Sequence, residues 1–580
     1  MRSRSEAAHP GAPGRRRFIG FLNHSKRSAG HNSIVRKFSV LTPQSRIAAL
    51  AGLFIMVTGN LELFERLGEV YPLTGANLPF LSSLTLFFTL STVLFLVLLT
   101  PGRAGRWVLA TLLVAASQAA YFMDQYAVVI DTVMIENIAA TQREEVAGLF
   151  SFSLIWRTVL FGVLPAWWVV RNWPRTTSIW RELGARALLS LLLLVGLIAV
   201  AAPFTSGYAS FIREHKTTRM YANPIFFSYS LVRYVGEHFE QRDTGVLGQV
   251  AEDARHIGPQ HRPELVVLVV GETARADRFS LNGYGRPTNP RLAQEDVVSL
   301  RNVTACGTST AESVPCMFSV QKQEHFNRGE ALRTENALDV LFENGVHVLW
   351  RDNNSDSKGV ATRMTYEDFR SPKRNPACDD ECRDVGMLDG LDRYIESHKG
   401  RDMLIVLHQM GNHGPEYYRR YPKAFERFTP VCRSKELRDC TKQEIDNAYD
   451  NAILYTDHFL AEVIGLLKRY DGEYETAMLY VSDHGESLGE NGLYLHSAPR
   501  MLAPDEQVRV PAIVWLGKHF DYTMEQLRPH RDTPMRHDDL FCVLMSAFEI
   551  RTRMCDGPKN ILYYNRELGL EPVPATQPAS

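Results

Sequence analysis

Five long apolar segments follow one another in the first part of the chain, near residues 47–64, 77–100, 107–123, 153–170 and 187–204. Each is close to the ~20 residues a helix needs to cross the hydrocarbon layer, and charged residues flank each one. Buried helices of a large soluble protein are the bland alternative, but five such segments in succession predict a five-helix membrane domain.

The loops orient that domain. Residues 1–46 carry ten basic side chains (Arg2, Arg4, Arg15, Arg16, Arg17, Lys26, Arg27, Arg36, Lys37 and Arg46) against one acid, Glu6, and read as a basic tail with little to fold around. The 101–106 turn (Arg103, Arg106) and the 171–186 loop (Arg171, Arg175, Arg181, Arg186) are also arginine-rich, whereas the 65–76 and 124–151 loops hold more acid than base. Positive loops stay in the cytoplasm, so five crossings place everything after about residue 205 on the far side. The formal net charge of -1 argues against a nucleic-acid partner, although it hides this segregation.

The cysteines point to the same compartment. All eight (Cys306, Cys316, Cys378, Cys382, Cys432, Cys440, Cys542, Cys555) lie beyond residue 300. An even number confined to one part of the chain reads as disulfides in an oxidising space. Sequence neighbours suggest the pairs Cys306 with Cys316, Cys378 with Cys382, Cys432 with Cys440, and Cys542 with Cys555. A zinc-thiolate site is the competing reading, and no paired C-x-x-C spacing supports it. With no organelle signal, a multi-pass protein of a bacterial inner membrane with its second half in the periplasm is the simplest expectation.

A chain of 580 residues is too long for one core. The expected division is a basic cytoplasmic tail (1–46), the transmembrane domain (47–204), a periplasmic connector (205–262), a catalytic domain (263–565) and a disordered Pro/Ala-rich tail (566–580). In the catalytic part, apolar runs at 265–270, 346–350, 403–407, 477–481 and 511–515 alternate with helical patterns. Strands so far apart along the chain imply a mostly parallel sheet with crossover helices.

Four of these runs lead into polar groups. They reach Glu272; the stretch from Arg351 to Lys358; the stretch His408-Gln409-Met410-Gly411-Asn412-His413-Gly414; and Asp483-His484-Gly485-Glu486. In a parallel sheet these ends converge on one edge, where open α/β sheets place their sites. Glu272 with Asp483 and His484 offers three oxygen and nitrogen ligands of the kind zinc accepts, leaving a fourth position for a nucleophile. Between the first two strands lies Cys306-Gly307-Thr308-Ser309-Thr310-Ala311-Glu312-Ser313-Val314-Pro315-Cys316, which places a threonine at the start of a short helix. A hydroxyl there is an ordinary helix cap unless a nearby dication stabilises its alkoxide.

These stretches, together with Gly271-Glu272-Thr273-Ala274-Arg275-Ala276-Asp277, resemble the lipid A phosphoethanolamine transferases, including the mobile colistin-resistance enzymes. The resemblance spans the five membrane segments and the catalytic domain. It implies an α/β fold: an N-terminal five-helix transmembrane domain joined to an alkaline-phosphatase/sulfatase-like, mostly parallel sheet flanked by helices. It further implies Thr310 as nucleophile, with zinc (Zn2+) held by Glu272, Thr310, Asp483 and His484. Lys358, His413 and His496 match residues around the phosphoethanolamine group or a second metal near the two histidines. Asn137, Thr141 and Glu145 match donor-binding positions, and their i, i+4, i+8 spacing puts them on one helix face. The family pattern does not extend to Cys542 and Cys555.

The implied reaction takes phosphoethanolamine from phosphatidylethanolamine to a lipid A phosphate through a phosphoethanolamine-threonine intermediate, in a monomer bound among membrane lipids. Reduced surface charge and resistance to cationic peptides such as polymyxin would follow. The alternatives within the fold are transfer to lipopolysaccharide core or periplasmic glucan, or phosphoglycerol transfer. A sulfatase is disfavoured because no Cys/Ser-x-Pro-x-Arg segment occurs, and a transporter with a sensor domain because few charges and no repeated halves mark the membrane segments.

Overall fold

The computed structural model describes residues 42–140, 149–175, 178–240, 247–257 and 262–555. The basic tail up to residue 41, Thr141, Glu145 and the 566–580 segment lie outside them.

Helices form over the apolar segments and, at residues 132–140, in the acidic loop between the third and the fourth. They are α1 (Pro43–Thr58), α2 (Leu61–Val70), α3 (Leu78–Leu99), α4 (Gly105–Tyr126), α5 (Thr132–Ala140), α6 (Phe152–Asn172) and α7 (Ile179–Arg213). Four of them, α3, α4, α6 and α7, are each long and apolar enough to cross a membrane, and the first expected span is a pair, α1 and α2, bent by 59°. Asn60 causes the break. Its Nδ2 donates to the Ile55 carbonyl (3.1 Å) and the Asn223 carbonyl (2.9 Å), while Asn223 Nδ2 donates to Gly59 O (2.8 Å) and Ala116 O (2.9 Å). The interrupted backbone groups are thus satisfied by side chains, as an apolar surrounding demands. In α7 only 11 % of the most apolar stretch is buried against protein. A helix so apolar and so uncovered suits contact with lipid tails.

Tyr208, Phe211, Tyr221 and Phe227, which follow the last apolar segment, pack into the same core as these helices. The next helix, α8 (Ile225–Glu240), lies within the expected connector and contacts α5.

Beyond it lies an eight-stranded sheet. Its strands are β1 (Glu264–Gly271), β2 (Val298–Thr304), β3 (His347–Asp352), β4 (Thr365–Asp368), β5 (Met403–His408), β6 (Glu475–Ser482), β7 (Arg509–Leu516) and β8 (Met535–Arg536), in the spatial order β8-β2-β7-β6-β1-β5-β3-β4. All five expected strands are present. Of the seven pairs of neighbours, five are parallel (β8 with β2, β6 with β1, β1 with β5, β5 with β3 and β3 with β4), while β7 lies antiparallel to both β2 and β6. The sheet is therefore mixed, with β7 as its reversed strand.

β1 shows why the sheet sits in the middle. Leu265, Val267 and Val269 belong to one apolar core, and Val266, Leu268 and Val270 to the other. Alternating side chains face opposite layers, so an uninterrupted apolar run is what a doubly covered strand requires. Long helix α10 (Lys442–Tyr470) covers one face, capped by Thr441, whose side chain accepts from Glu444 N while the Glu444 carboxylate accepts from Thr441 N. On the other face lie α9 (Thr310–Phe318) and the helix Leu540–Ala547. Four disulfides close within this region: Cys306 with Cys316, Cys378 with Cys382, Cys432 with Cys440, and Cys542 with Cys555. No free cysteine remains.

The helices and the sheet meet along a seam. Arg66 donates to the Asn491 carbonyl (3.1 Å), Arg438 pairs with Glu62 (3.2 Å), and the Tyr126 hydroxyl donates to the Lys435 carbonyl (3.1 Å). Tyr494 and Leu495 pack against the apolar cores of both parts.

Candidate active site

The strand register assembles the site. Gly271 lies opposite Ser482, so β1 and β6 end together and release Glu272 beside Asp483 and His484. Asp483 N donates to the Gly271 carbonyl (3.0 Å), and Asn412 N, from the loop after β5, donates to Glu272 O (3.0 Å). Gly411 makes that approach possible. Its φ is +48°, and a Cβ there would stand 2.8 Å from the Glu272 carbonyl oxygen.

Thr273 follows Glu272 with φ 58°, the left-handed region that a β-branched residue rarely enters. Neighbours hold it there. Its N–H donates to Asp483 Oδ1 (3.0 Å), its carbonyl accepts the Tyr449 hydroxyl (2.6 Å), and its own hydroxyl donates to Glu272 Oε1. Strain of this kind, locked in by its surroundings, is concentrated at functional sites.

Glu272, Asp483 and His484 are buried, with one potential ligand atom from each lying within 4.8 Å of the others. Among the described residues they form the only such cluster of acids, histidines and cysteines. His484 Nδ1 donates to the Gly485 carbonyl (2.9 Å), which leaves Nε2 with its lone pair. That nitrogen faces Asp483 Oδ2 at 3.3 Å, Glu272 Oε1 at 3.5 Å and Thr310 Oγ1 at 3.4 Å. Asp483 Oδ2 is buried and has no hydrogen-bond donor. A lone pair facing carboxylate oxygens in a closed space calls for a cation or a proton between them, and two carboxylates with an imidazole suit a zinc-like dication. Without one, burial disfavours the charged ring, but the carboxylates of Asp483 and Glu272 outweigh it and hold the His484 pKa above 6.5.

Thr310 opens α9. Ser309 occupies the cap position without a side-chain cap bond, and the Thr310 hydroxyl turns instead to Glu272 Oε2 (3.1 Å). The ordinary cap role is thus not the one Thr310 plays. Gly307 N donates to Ser313 Oγ (3.1 Å), folding the loop back on the helix that the disulfide already ties to Cys306.

His496 and His413 lie beside this cluster. The His496 ring is 4.4 Å from that of His484 and 5.6 Å from that of His413, centroid to centroid. Burial pushes both pKa values down to about 3, so both rings are neutral. Glu486, 3.4 Å from His496 Nδ1, has its carboxyl pushed well above the usual range by burial. Asn137, on α5, donates to Ser497 Oγ (2.8 Å), which places it beside the residue after His496. Lys358 is buried in the loop after β3, its Nζ 3.5 Å from the Ser355 carbonyl.

Several contributors were not singled out from sequence. Asn354 Nδ2 donates to Glu272 Oε2 (2.6 Å) and to the Gln409 carbonyl (2.8 Å), fixing the carboxylate that receives Thr310. Asp352 organises that loop. It accepts from Asn354 N (2.9 Å), Trp350 Nε1 (2.9 Å) and His408 Nδ1 (2.9 Å), and burial of its carboxyl is outweighed by His408, so its pKa is lowered. Asn354 lies in the polar run after β3, so position alone could have flagged it.

Residues 87–239 match the family described as phosphoethanolamine transferase EptA/EptB, and residues 264–550 match the sulfatase family. The chain is 43% identical over 516 residues to phosphatidylethanolamine transferase Mcr-2 of Escherichia coli, covering 87% of this chain and 95% of that one. It is 41% identical over 539 residues to Mcr-1 of the same organism, covering 90% and 97%. Among solved structures it resembles the integral membrane protein lipooligosaccharide phosphoethanolamine transferase A (EptA) of Neisseria meningitidis, with a TM-score of 0.85 and 30% identity, covering 89% of this chain and 98% of that chain.

Proposed function

The chain belongs to the phosphoethanolamine transferases, and from that premise we propose that it moves phosphoethanolamine from phosphatidylethanolamine to a phosphate of lipid A, with Thr310 as the nucleophile. The observation that carries this reading is the Thr310 hydroxyl, 3.1 Å from Glu272 Oε2 and 3.4 Å from His484 Nε2 in a buried cluster at the carboxyl edge of the sheet.

Thr310 Oγ attacks the donor phosphorus as its proton passes to Glu272 Oε2. The bond from phosphorus to the glycerol oxygen breaks, diacylglycerol leaves with a proton, and a phosphoethanolamine-threonine ester remains. A lipid A phosphate oxygen then attacks the same phosphorus, forming a P–O–P link, and Thr310 recovers its proton. Glu272, Asp483, His484 and the Thr310 oxygen are the residues that would hold zinc, which supplies Lewis-acid stabilisation of an alkoxide and of phosphoryl oxygens when bound. Lys358 offsets charge on the phosphoryl group. His413 and His496, neutral, accept hydrogen bonds or protons near the entering and leaving oxygens, and they are the side chains a second metal would use.

Asn137 belongs to the donor-binding surface on this reading, with Thr141 and Glu145 further along the same segment. The residue 47–204 helices hold the protein in the bacterial inner membrane as a monomer, and the part after the connector (205–262) works in the periplasm. Arginine-rich loops on one side and disulfides on the other support that placement. A membrane anchor suits the chemistry because both donor and acceptor are lipids. Adding a cationic amine lowers the net negative charge of the outer surface and weakens binding of cationic peptides such as polymyxin.

Two measurements test this. Protein incubated with phosphatidylethanolamine should carry one phosphoethanolamine on the Thr310 peptide by mass spectrometry, and turnover with an unmodified Thr310 would sink the mechanism. Lipid A from cells expressing the protein should gain phosphoethanolamine on a phosphate; modification of core sugar or glucan alone would reassign the acceptor.

A further inference from the structure

His537 stands outside the cluster just described and touches none of the reacting groups, yet it joins the two segments that must meet there. β8 runs parallel to the end of β2, with Met535 opposite Val303 and Arg536 opposite Thr304. The next residue on one strand is His537, and two positions beyond Thr304 on the other is Cys306, where the disulfide to Cys316 begins. The His537 ring is 2 % exposed and spans the gap between them. Its Nδ1 accepts the Cys306 N–H (3.2 Å), and its Nε2 donates to the Ser482 carbonyl (2.9 Å).

We propose that His537 is a positioning residue that fastens the loop carrying Thr310 to the strand end carrying Asp483 and His484. Cys306 leads within four residues to Thr310, and Ser482 directly precedes the Asp483-His484 pair. A single imidazole tautomer serves both bonds, with the acceptor nitrogen on the nucleophile side and the donor nitrogen on the β6 side. Burial pushes the ring's pKa down to about 4, which keeps it in that neutral form. Other contacts pull on the same loop, since Gln323 Nε2 donates to the Cys306 carbonyl (3.0 Å) and Arg500 Nε to the same oxygen (3.2 Å). Only His537 carries the connection across to β6 among these three. Its effect is to fix the distance between the attacking oxygen and the groups that activate it, and misplacement of about 1 Å can cost on the order of 10²-fold in rate.

This inference rests on the transferase reading, and its test keeps the two separable. In full-length protein, His537→Ala should lower kcat for transfer from phosphatidylethanolamine about a hundredfold with the donor KM unchanged. The same variant should speed amide exchange in the peptides around residues 305–313 and 480–484, a readout that needs no turnover. Should the alanine variant not fold, the conservative pair decides. Asparagine places an acceptor near the Nδ1 position, and glutamine a donor near the Nε2 position. Each should recover part of kcat at wild-type KM, and each should restore slow exchange on the side whose bond it keeps. Wild-type kcat with wild-type exchange in the variants overturns the proposal, as does a change in KM alone. A wild-type protein that transfers nothing overturns the transferase reading, while the exchange pattern still decides the tether.

Discussion

Glu264 and Glu272 stand at the two ends of β1, the first opening the strand and the second following it. Both are nearly inaccessible, at 4 % and 1 % exposure. Glu264 sits among acids, with Asp402 against it and Glu549 nearby; burial and these neighbours drive its pKa far above the usual carboxylate range, so it stays protonated. Glu272 instead receives the hydroxyls of Thr273 and Thr310 and the Asn354 amide, and faces His484. Two equally buried carboxyl groups thus meet opposite surroundings, acids at one end of the strand and hydrogen-bond donors at the other. The carboxyl edge, where four loops converge, is where the chain can aim donors. At the amino edge the Glu264 N–H is aimed at Asp402 (3.0 Å), and the Glu264 carboxyl is left among acids and keeps its proton.

Thr310→Ala removes the group that Glu272 is arranged to receive and should give the largest effect. Transfer of a labelled phosphoethanolamine group should fall on the order of 10⁴-fold or more. Glu272→Gln and Glu264→Gln then set the two ends against each other. The first should lower transfer by more than about a hundredfold and reduce the bound metal found by elemental analysis, whereas the second should leave both within about twofold. Equal losses from the two would break the comparison. Asn354→Ala tests whether aim matters as well as charge. It leaves Glu272 in place without its amide partner and should cost about 10–100-fold in activity or metal affinity.

The smallest effect concerns stability. Because the folded-state pKa of Glu264 is raised, the proton's contribution is full below the ordinary 4.5 and is lost as pH rises through the raised value. Glu264→Gln cannot ionise, so its melting temperature should gain on wild type between about pH 5 and about pH 9. Parallel curves would mean that Glu264 is not the proton holder described.

Much of this contrast could be read from the chain, and the unread part has a common cause. The run 265–270 announced a doubly covered strand because six apolar residues in a row suit no half-exposed one, and Glu272, Asp483 and His484 followed from where such runs stop. The run 511–515 was legible as a strand but its direction was not. Periodicity records which faces are buried, not which way a strand runs, and β7 is reversed. The first membrane segment read as one span, and its bend depends on Asn223, 163 residues away. Asn354 lay inside the polar run after β3 without being picked out of it, whereas His537 was missed for the same reason as the bend: its partners lie 55 and 231 residues away. Motif spacing along a chain is blind to contacts of that separation.

β2 has a further consequence for how the protein is made. Its two neighbours, β7 and β8, come from residues 509–516 and 535–536. A ribosome extending the chain at about 5–20 residues per second takes about 10–50 s to go from Cys306 to His537. β1 precedes that interval and β5 and β6 are completed within it, before either neighbour of β2 has been made. A nascent chain that ends just past residue 484 therefore contains every member of the buried acid-histidine cluster before the strands that flank β2 have been made.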